Sequence, residues 1–184
     1  MPKALVVLAP GFEEIEAVSI IDILRRGEID VTVAGLTAGA ITGSHDITIV
    51  PDTVLDKVDH HVFDILVLPG GQPGTNNLKA DDRLLQWIRE RFENKQKIAA
   101  ICAAPTVLHR AGITDHLELT SYPSEKEVFT NSKYLEQPVV KDGQVITSRG
   151  VGTALAFGLA IIEELQGREK AQTVAERILF KAEC

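Results

Sequence analysis

Two cysteines in 184 residues, Cys102 and Cys184, are too few for a disulfide framework, and neither has the paired spacing to a histidine that a zinc site needs. A bridge between an internal segment and the last residue is not expected, least of all in a reducing compartment. Long apolar runs are missing as well: no stretch reaches the roughly 20 residues that span a bilayer. The opening "MPKALVVLAP" has the length of a strand and meets Pro10 and Gly11 at once, without the longer core and small-residue cleavage site of a signal peptide. There is no low-complexity tract, no block of like charge, no internal repeat and no G-x-G-x-x-G phosphate loop. These absences point to one domain over 1–184, cytoplasmic, using neither a metal nor an organic cofactor. Positive charge is also short. With 19 Lys and Arg against 26 Asp and Glu the net charge is −7, which repels phosphate backbones and anionic membranes, so neither nucleic acid nor a membrane is an expected partner.

What is present has a clear order. Short β-branched runs recur at 4–9, 31–36, 64–70, 98–102 and 144–148, and most are separated by stretches with helical spacing. That alternation predicts an α/β fold: an αβα sandwich around a mostly parallel central sheet. Helices are expected over 13–26, with Ile15, Val18, Ile21 and Leu24 as the buried stripe and Gly27 as the stop, and over 82–94 and 152–166. Two segments, 40–50 and 138–148, read as added β-hairpins, the second with an Asp-Gly turn. Ligands of such sheets bind beyond the carboxyl ends of the strands.

Three loops at that edge carry chemistry. In "KIAAICAAPTVL" (97–108) a buried strand ends at Cys102 and a helix with an early proline follows, the layout of a nucleophile elbow with small Ala100 and Ala104 on either side. At a helix N-terminus a thiol is expected to ionise near neutral pH, although cysteine is also simply a common small buried residue. In "LPGGQPGT" (68–75), Gly70 and Gly71 let backbone N–H groups approach an oxyanion, and Gly71 with Ala103 would form a two-amide hole; a plain turn is the alternative. In "APGFEEIEAV" (9–18), acids at a helix start ordinarily complement the dipole, but Glu16 sits among apolar residues and is expected to point to the sheet edge. There a partly desolvated carboxyl has a raised pKa and donates a hydrogen bond to a thiolate.

Together "APGFEEIEAV", "LPGGQPGT", "AAICAAPTVL" and "TSRGVGTALAFGLAIIEELQGREKA" resemble the ThiJ/PfpI superfamily, in the branch of the parkinsonism-associated protein deglycase and its bacterial relatives. The resemblance runs over essentially the whole chain. It implies a flavodoxin-like sandwich, usually a homodimer, with Cys102 as an oxidisable nucleophile, Glu16 as its protonated partner and the amides of Gly71 and Ala103 as the oxyanion site. Where many relatives have a histidine beside the cysteine, this chain has Tyr122, a hydroxyl donor or an aromatic wall. His45, in the tip "GSHD", stands where relatives often carry an arginine near the partner's site, and otherwise reads as an exposed turn residue. His109, seven residues past Cys102, lies about 10 Å along the helix and out of reach. His60 and His61 precede a strand at its far end, Arg149 is expected to hold a carboxylate or carbonyls, and Cys184 is a bystander. The activity implied is a glyoxalase or deglycase acting on small-molecule reactive carbonyls. The alternatives are a peroxide sensor or redox-regulated chaperone, and a peptidase-like amidase.

Overall fold

The structure is a computed structural model that describes residues 1–181. In chain order it contains β1 (Lys3–Leu8), α1 (Glu14–Arg26), β2 (Asp30–Gly35), β3 (Ile41–Thr42), β4 (Thr48–Ile49), β5 (Thr53–Val54), β6 (Ile65–Leu68) and α2 (Gly74–Lys79). Then come α3 (Asp82–Glu93), β7 (Lys97–Ile101), α4 (Pro105–Ala111), β8 (Glu118–Leu119), β9 (Lys133–Tyr134), β10 (Val139–Asp142), β11 (Val145–Ser148), α5 (Ala154–Gln166) and α6 (Arg168–Arg177).

Seven strands form the central sheet in the order β10-β11-β7-β6-β1-β2-β5. Every neighbouring pair is parallel except β10 with β11. Because both faces are covered, alternate residues of one strand enter different cores. Ala4, Val6 and Leu8 of β1 pack with α1, α5 and α6, whereas Leu5 and Val7 pack with α3 and α4. The flavodoxin-like sandwich and its five apolar strands are therefore as the sequence predicts. Among the described residues no helix is long and apolar enough to cross a membrane.

Three details differ from expectation. The buried face of α1 is Glu14, Glu16, Ala17, Ile20, Ile21, Ile23 and Leu24, while Ile15 and Val18 are 56% and 49% exposed. Two carboxyl groups occupy positions that apolar periodicity assigns to solvent. Gly27 ends α1 at φ −73°, so it is not there for a left-handed turn. A Cβ would come within 2.8 Å of Ile162, and glycine instead permits the close approach of α5. The 138–148 hairpin is no appendage, since β11 pairs with β7 inside the main sheet. The 40–50 hairpin, β3 with β4, does stand apart from it, as does the short parallel pair of β8 with β9.

Candidate active site

The strand β7 delivers Cys102 at φ +64°, a left-handed conformation costly for a residue with a Cβ. Three backbone bonds hold it there. Cys102 N–H donates to the Ser148 carbonyl at 3.0 Å, Ala104 N–H to Ile101 at 2.9 Å, and Tyr122 N–H to the Cys102 carbonyl at 2.8 Å. Small neighbours are required, as at an elbow: Ala100 and Ala104 are fully buried. Gly70 is tighter still, since a Cβ there would lie 2.7 Å from Cys102 Cβ and 2.9 Å from Glu16 Oε2.

Glu16 comes from the first turn of α1 and is fully buried. Its Oε2 accepts the Gly70 N–H at 2.8 Å, whereas Oε1 is buried without a conventional partner and the thiol of Cys102 is the polar group beside the carboxyl. Oε1 is thus the oxygen left to carry a proton. Burial pushes Glu16 up to about 7 against the pull of the Cys102 thiol and the Gly70 amide, and the nearby charge of Glu13 adds to the rise.

The sulfur does not behave as the sequence suggests. Burial first, then the charge and hydrogen bond of Glu16, raise the Cys102 thiol well above its ordinary value, and the amides of Ala103 and Gly71 only partly offset this. Burial and Glu16 thus outweigh the lowering expected at a helix N-terminus; α4 itself begins at Pro105, past Ala103 and Ala104. The two amides are nevertheless placed beside the sulfur as a pair of donors. Gly71 presents its amide from φ +95°, and any side chain there would run into the backbone of Phe12 and Glu13.

A cleft of about 570 Å³ opens over this group, lined by Glu13, Glu16, Cys102, Tyr122, Pro123 and Arg149, with 150–153 as its far wall. Tyr122 is half-exposed, and a Cβ on Gly150 would sit 3.4 Å from its ring and 3.9 Å from Cys102 Sγ. Gly150 thus keeps open the space next to the sulfur. Arg149 is a correction: it lines the cleft, and its guanidinium makes no hydrogen bond or ion pair among the described residues, although its charge reaches the Glu136 carboxylate.

His45 is not among the residues lining this chain's cleft and is exposed. It stands at the hairpin tip, 3.1 Å from Glu14 and 3.5 Å from Glu13, and Glu14 raises its pKa. Glu14 is 3% exposed and accepts from His45 N–H at 2.6 Å and Ile47 N–H at 3.3 Å. Burial alone would raise Glu14, but these amides outweigh it and hold the carboxyl at about 2. Sequence reading treated Glu14 as a dipole partner and missed that it clamps the 40–50 hairpin. His109 is bonded to Thr114 Oγ1 at 3.0 Å, His60 and His61 lie before β6, and no histidine lines the cleft. Cys184 lies outside the described residues.

The DJ-1/PfpI family model matches residues 2–164. Protein dj-1beta of Drosophila melanogaster is 49% identical over 180 residues, 96% of each chain. Its crystal structure superposes with a TM-score of 0.95 at 47% identity, covering 98% of this chain and 99% of that one. A Caenorhabditis elegans protein named glutathione-independent glyoxalase DJR-1.2 is 37% identical over 175 residues, 94% of this chain and 93% of its own. The structure "Toxoplasma gondii DJ-1, oxidized" has a TM-score of 0.95 at 32% identity, over 99% and 100% of the two chains.

Proposed function

From the premise that the chain belongs to the DJ-1/PfpI family, we propose that it is a cysteine-dependent glyoxalase or deglycase acting on reactive dicarbonyls or their early thiol and amine adducts. The observation that carries this reading is the half-buried Cys102 against the buried Glu16, beside two backbone amides in one cleft. With Glu16 titrating at about 7, a large share of it is charged at neutral pH and takes the thiol proton as the sulfur adds to an aldehyde carbon. The carbonyl oxygen becomes an oxyanion held by the N–H groups of Gly71 and Ala103. Glu16 returns the thiol proton to the oxyanion, then takes the proton on the former aldehyde carbon to give an enediol and delivers it to the neighbouring carbon as the hydroxyl proton passes to that carbon's oxygen, leaving a thioester. Water hydrolyses it to a hydroxy acid and frees the thiol. Methylglyoxal plus water gives lactate, so the internal oxidation of one carbon balances the reduction of the next. The relative named a glyoxalase supports the substrate class.

Two assays test it. Loss of methylglyoxal and formation of lactate should be abolished by Cys102→Ser, and equal rates in both chains would remove the thiol from the reaction. In the natural chain kcat/KM should rise with pH through about 7 as Glu16 ionises, and Glu16→Gln should remove that rise along with most of the rate.

The second reading, a peroxide sensor or redox-regulated chaperone, draws on the relative whose structure is described as oxidized and on an acid placed to donate to an oxidised sulfur. Mild peroxide that adds two oxygens to Cys102 in a chain without dicarbonyl turnover would favour it. The amidase reading has no such support, because it needs a histidine at the sulfur and the cleft lining has none. A homodimer fits the exposed Ile15, Val18, Ile47 and Val50 around α1 and the 40–50 hairpin. The free Cys102 fits a reducing, cytoplasmic setting.

A further inference from the structure

At the edge of the sheet opposite Cys102, just before β6, three side chains converge on one point. His60 and His61 belong to a single 3₁₀ turn, His60–Val62, and Glu90 belongs to α3; each brings one nitrogen or carboxylate oxygen within 4.8 Å of the others. His60 Nε2 is 3.2 Å from Glu90 Oε2. The His60 ring stacks on Trp87 at 4.6 Å, with the His61 ring 4.0 Å away on another side. The fully buried Arg91 donates to the backbone carbonyls of His60 at 2.7 Å and Phe63 at 3.0 Å, which fixes the turn against α3.

His60 is 4% exposed, and its one side-chain hydrogen-bond contact among the described residues is that of Nε2 to Glu90, so Nε2 is the nitrogen it turns toward the other two side chains. We propose that His60, His61 and Glu90 bind one divalent first-row transition-metal ion, zinc or copper rather than magnesium or calcium, with a fourth position open to water.

The donor set carries the choice of metal. Two imidazoles and one carboxylate suit zinc and copper, whereas magnesium and calcium call for oxygen ligands. Distance carries the geometry: bonds of about 2.0–2.1 Å in a tetrahedron put neighbouring ligand atoms about 3.3 Å apart. His60 and Glu90 already hold 3.2 Å with a proton between them, so a cation replaces that proton without backbone movement. His61 is exposed and its ring nitrogen lies within 4.8 Å of the other two ligand atoms, which makes it the third protein ligand. Such an ion would tie the turn before β6 to α3, at the far end of the strands from the cleft, and it does not depend on the activity proposed above.

Trp87 is the sole tryptophan and touches a ligand, which supplies the readout. The full chain carrying Cys102→Ser and Cys184→Ser removes both thiols as competing ligands. Copper(II) should then quench Trp87 fluorescence with an end point of one ion per chain, and zinc(II) added first should prevent the quenching while magnesium(II) does not. His61→Ala and Glu90→Gln, both on partly exposed side chains, should each raise the quenching midpoint at least about tenfold, the lower bound for losing even an outer-shell partner. Zinc should also raise the thermal midpoint of the parent and not of either variant, by the linkage of binding to folding. Absence of quenching, the same midpoint in both variants, or protection by magnesium as good as by zinc would each overturn the assignment.

Discussion

Glu16→Gln isolates the buried acid while preserving its shape and its bond from the Gly70 amide. In the folded chain burial lifts Glu16 from 4.5 to about 7, in spite of the thiol and amide that pull the other way. Unfolded, the same carboxyl titrates near 4.5. The folded chain therefore keeps a proton that the unfolded chain has already lost. The sign follows: the contribution of this group to stability is complete below about 4.5, declines as pH rises toward about 7 and is flat above it. A gap of about 2.5, at about 1.4 kcal/mol per pH unit, comes to about 3 kcal/mol, and full burial leaves no solvent screening to reduce it. Glutamine does not titrate, and the other carboxylates are common to both chains. Urea unfolding of both, in steps from about pH 4 to about pH 8, should show the natural chain losing about 3 kcal/mol relative to the variant. A difference that stays constant within about 1 kcal/mol over that range would refute a desolvated acid at this position, and with it the proton acceptor of the proposed reaction.

Three further perturbations read other parts of the structure. Glu14→Ala should free the 40–50 hairpin at a cost of about 1–3 kcal/mol, seen as faster amide exchange at His45 and Ile47. In the natural chain the same protection should persist above about 4.5 and fade as pH falls toward about 2, because the folded pKa is depressed. Arg91→Met leaves the carbonyls of His60, Phe63 and Lys97 without their buried donor and should lower stability by about 3 kcal/mol in urea unfolding, with an unchanged denaturant slope. Arg149→Met should raise KM about fivefold for an anionic carbonyl such as glyoxylate, the worth of one partly exposed ion pair, and leave KM for methylglyoxal within about twofold.

The sheet was legible because strands buried on both faces spell short continuous apolar runs, as "ALVVLA" and "ILVL" do. α1 was legible as a helix and misleading as a surface. Periodicity assumes that the face turned inward is apolar, yet here Glu14 and Glu16 turn inward to clamp a hairpin and a thiol, and Ile15 and Val18 face out. The two-residue strands β8 and β9 have no pattern to read. They nonetheless carry the loop whose Tyr122 N–H caps the elbow. The elbow itself was visible in the small residues around Cys102. The ionisation of its sulfur was not, since that depends on burial and on a carboxyl 86 positions earlier in the chain. Arg149 was read as a structural cation for the same reason: sequence gives its charge and not its neighbours.

That misjudged thiol bears on which of the two readings the site favours. A thiolate is the form that peroxide attacks, so a sulfur kept protonated by burial and by an adjacent carboxylate is a slow target at rest. The same arrangement does not obstruct addition to a carbonyl, because the proton need only cross to Glu16 as the carbon–sulfur bond forms. The negative charge then passes from the carboxylate to an oxyanion beside two amides, and no ionised sulfur has to persist in a desolvated pocket. Positive φ at Cys102 and the absence of any Cβ at Gly70 keep sulfur and acid in contact for that transfer. An added methyl at Gly70 would separate them and should therefore cost carbonyl turnover more than it costs peroxide oxidation, which needs only an accessible sulfur. The reverse order of sensitivity in Gly70→Ala would make oxidation, rather than turnover, the chemistry this contact serves.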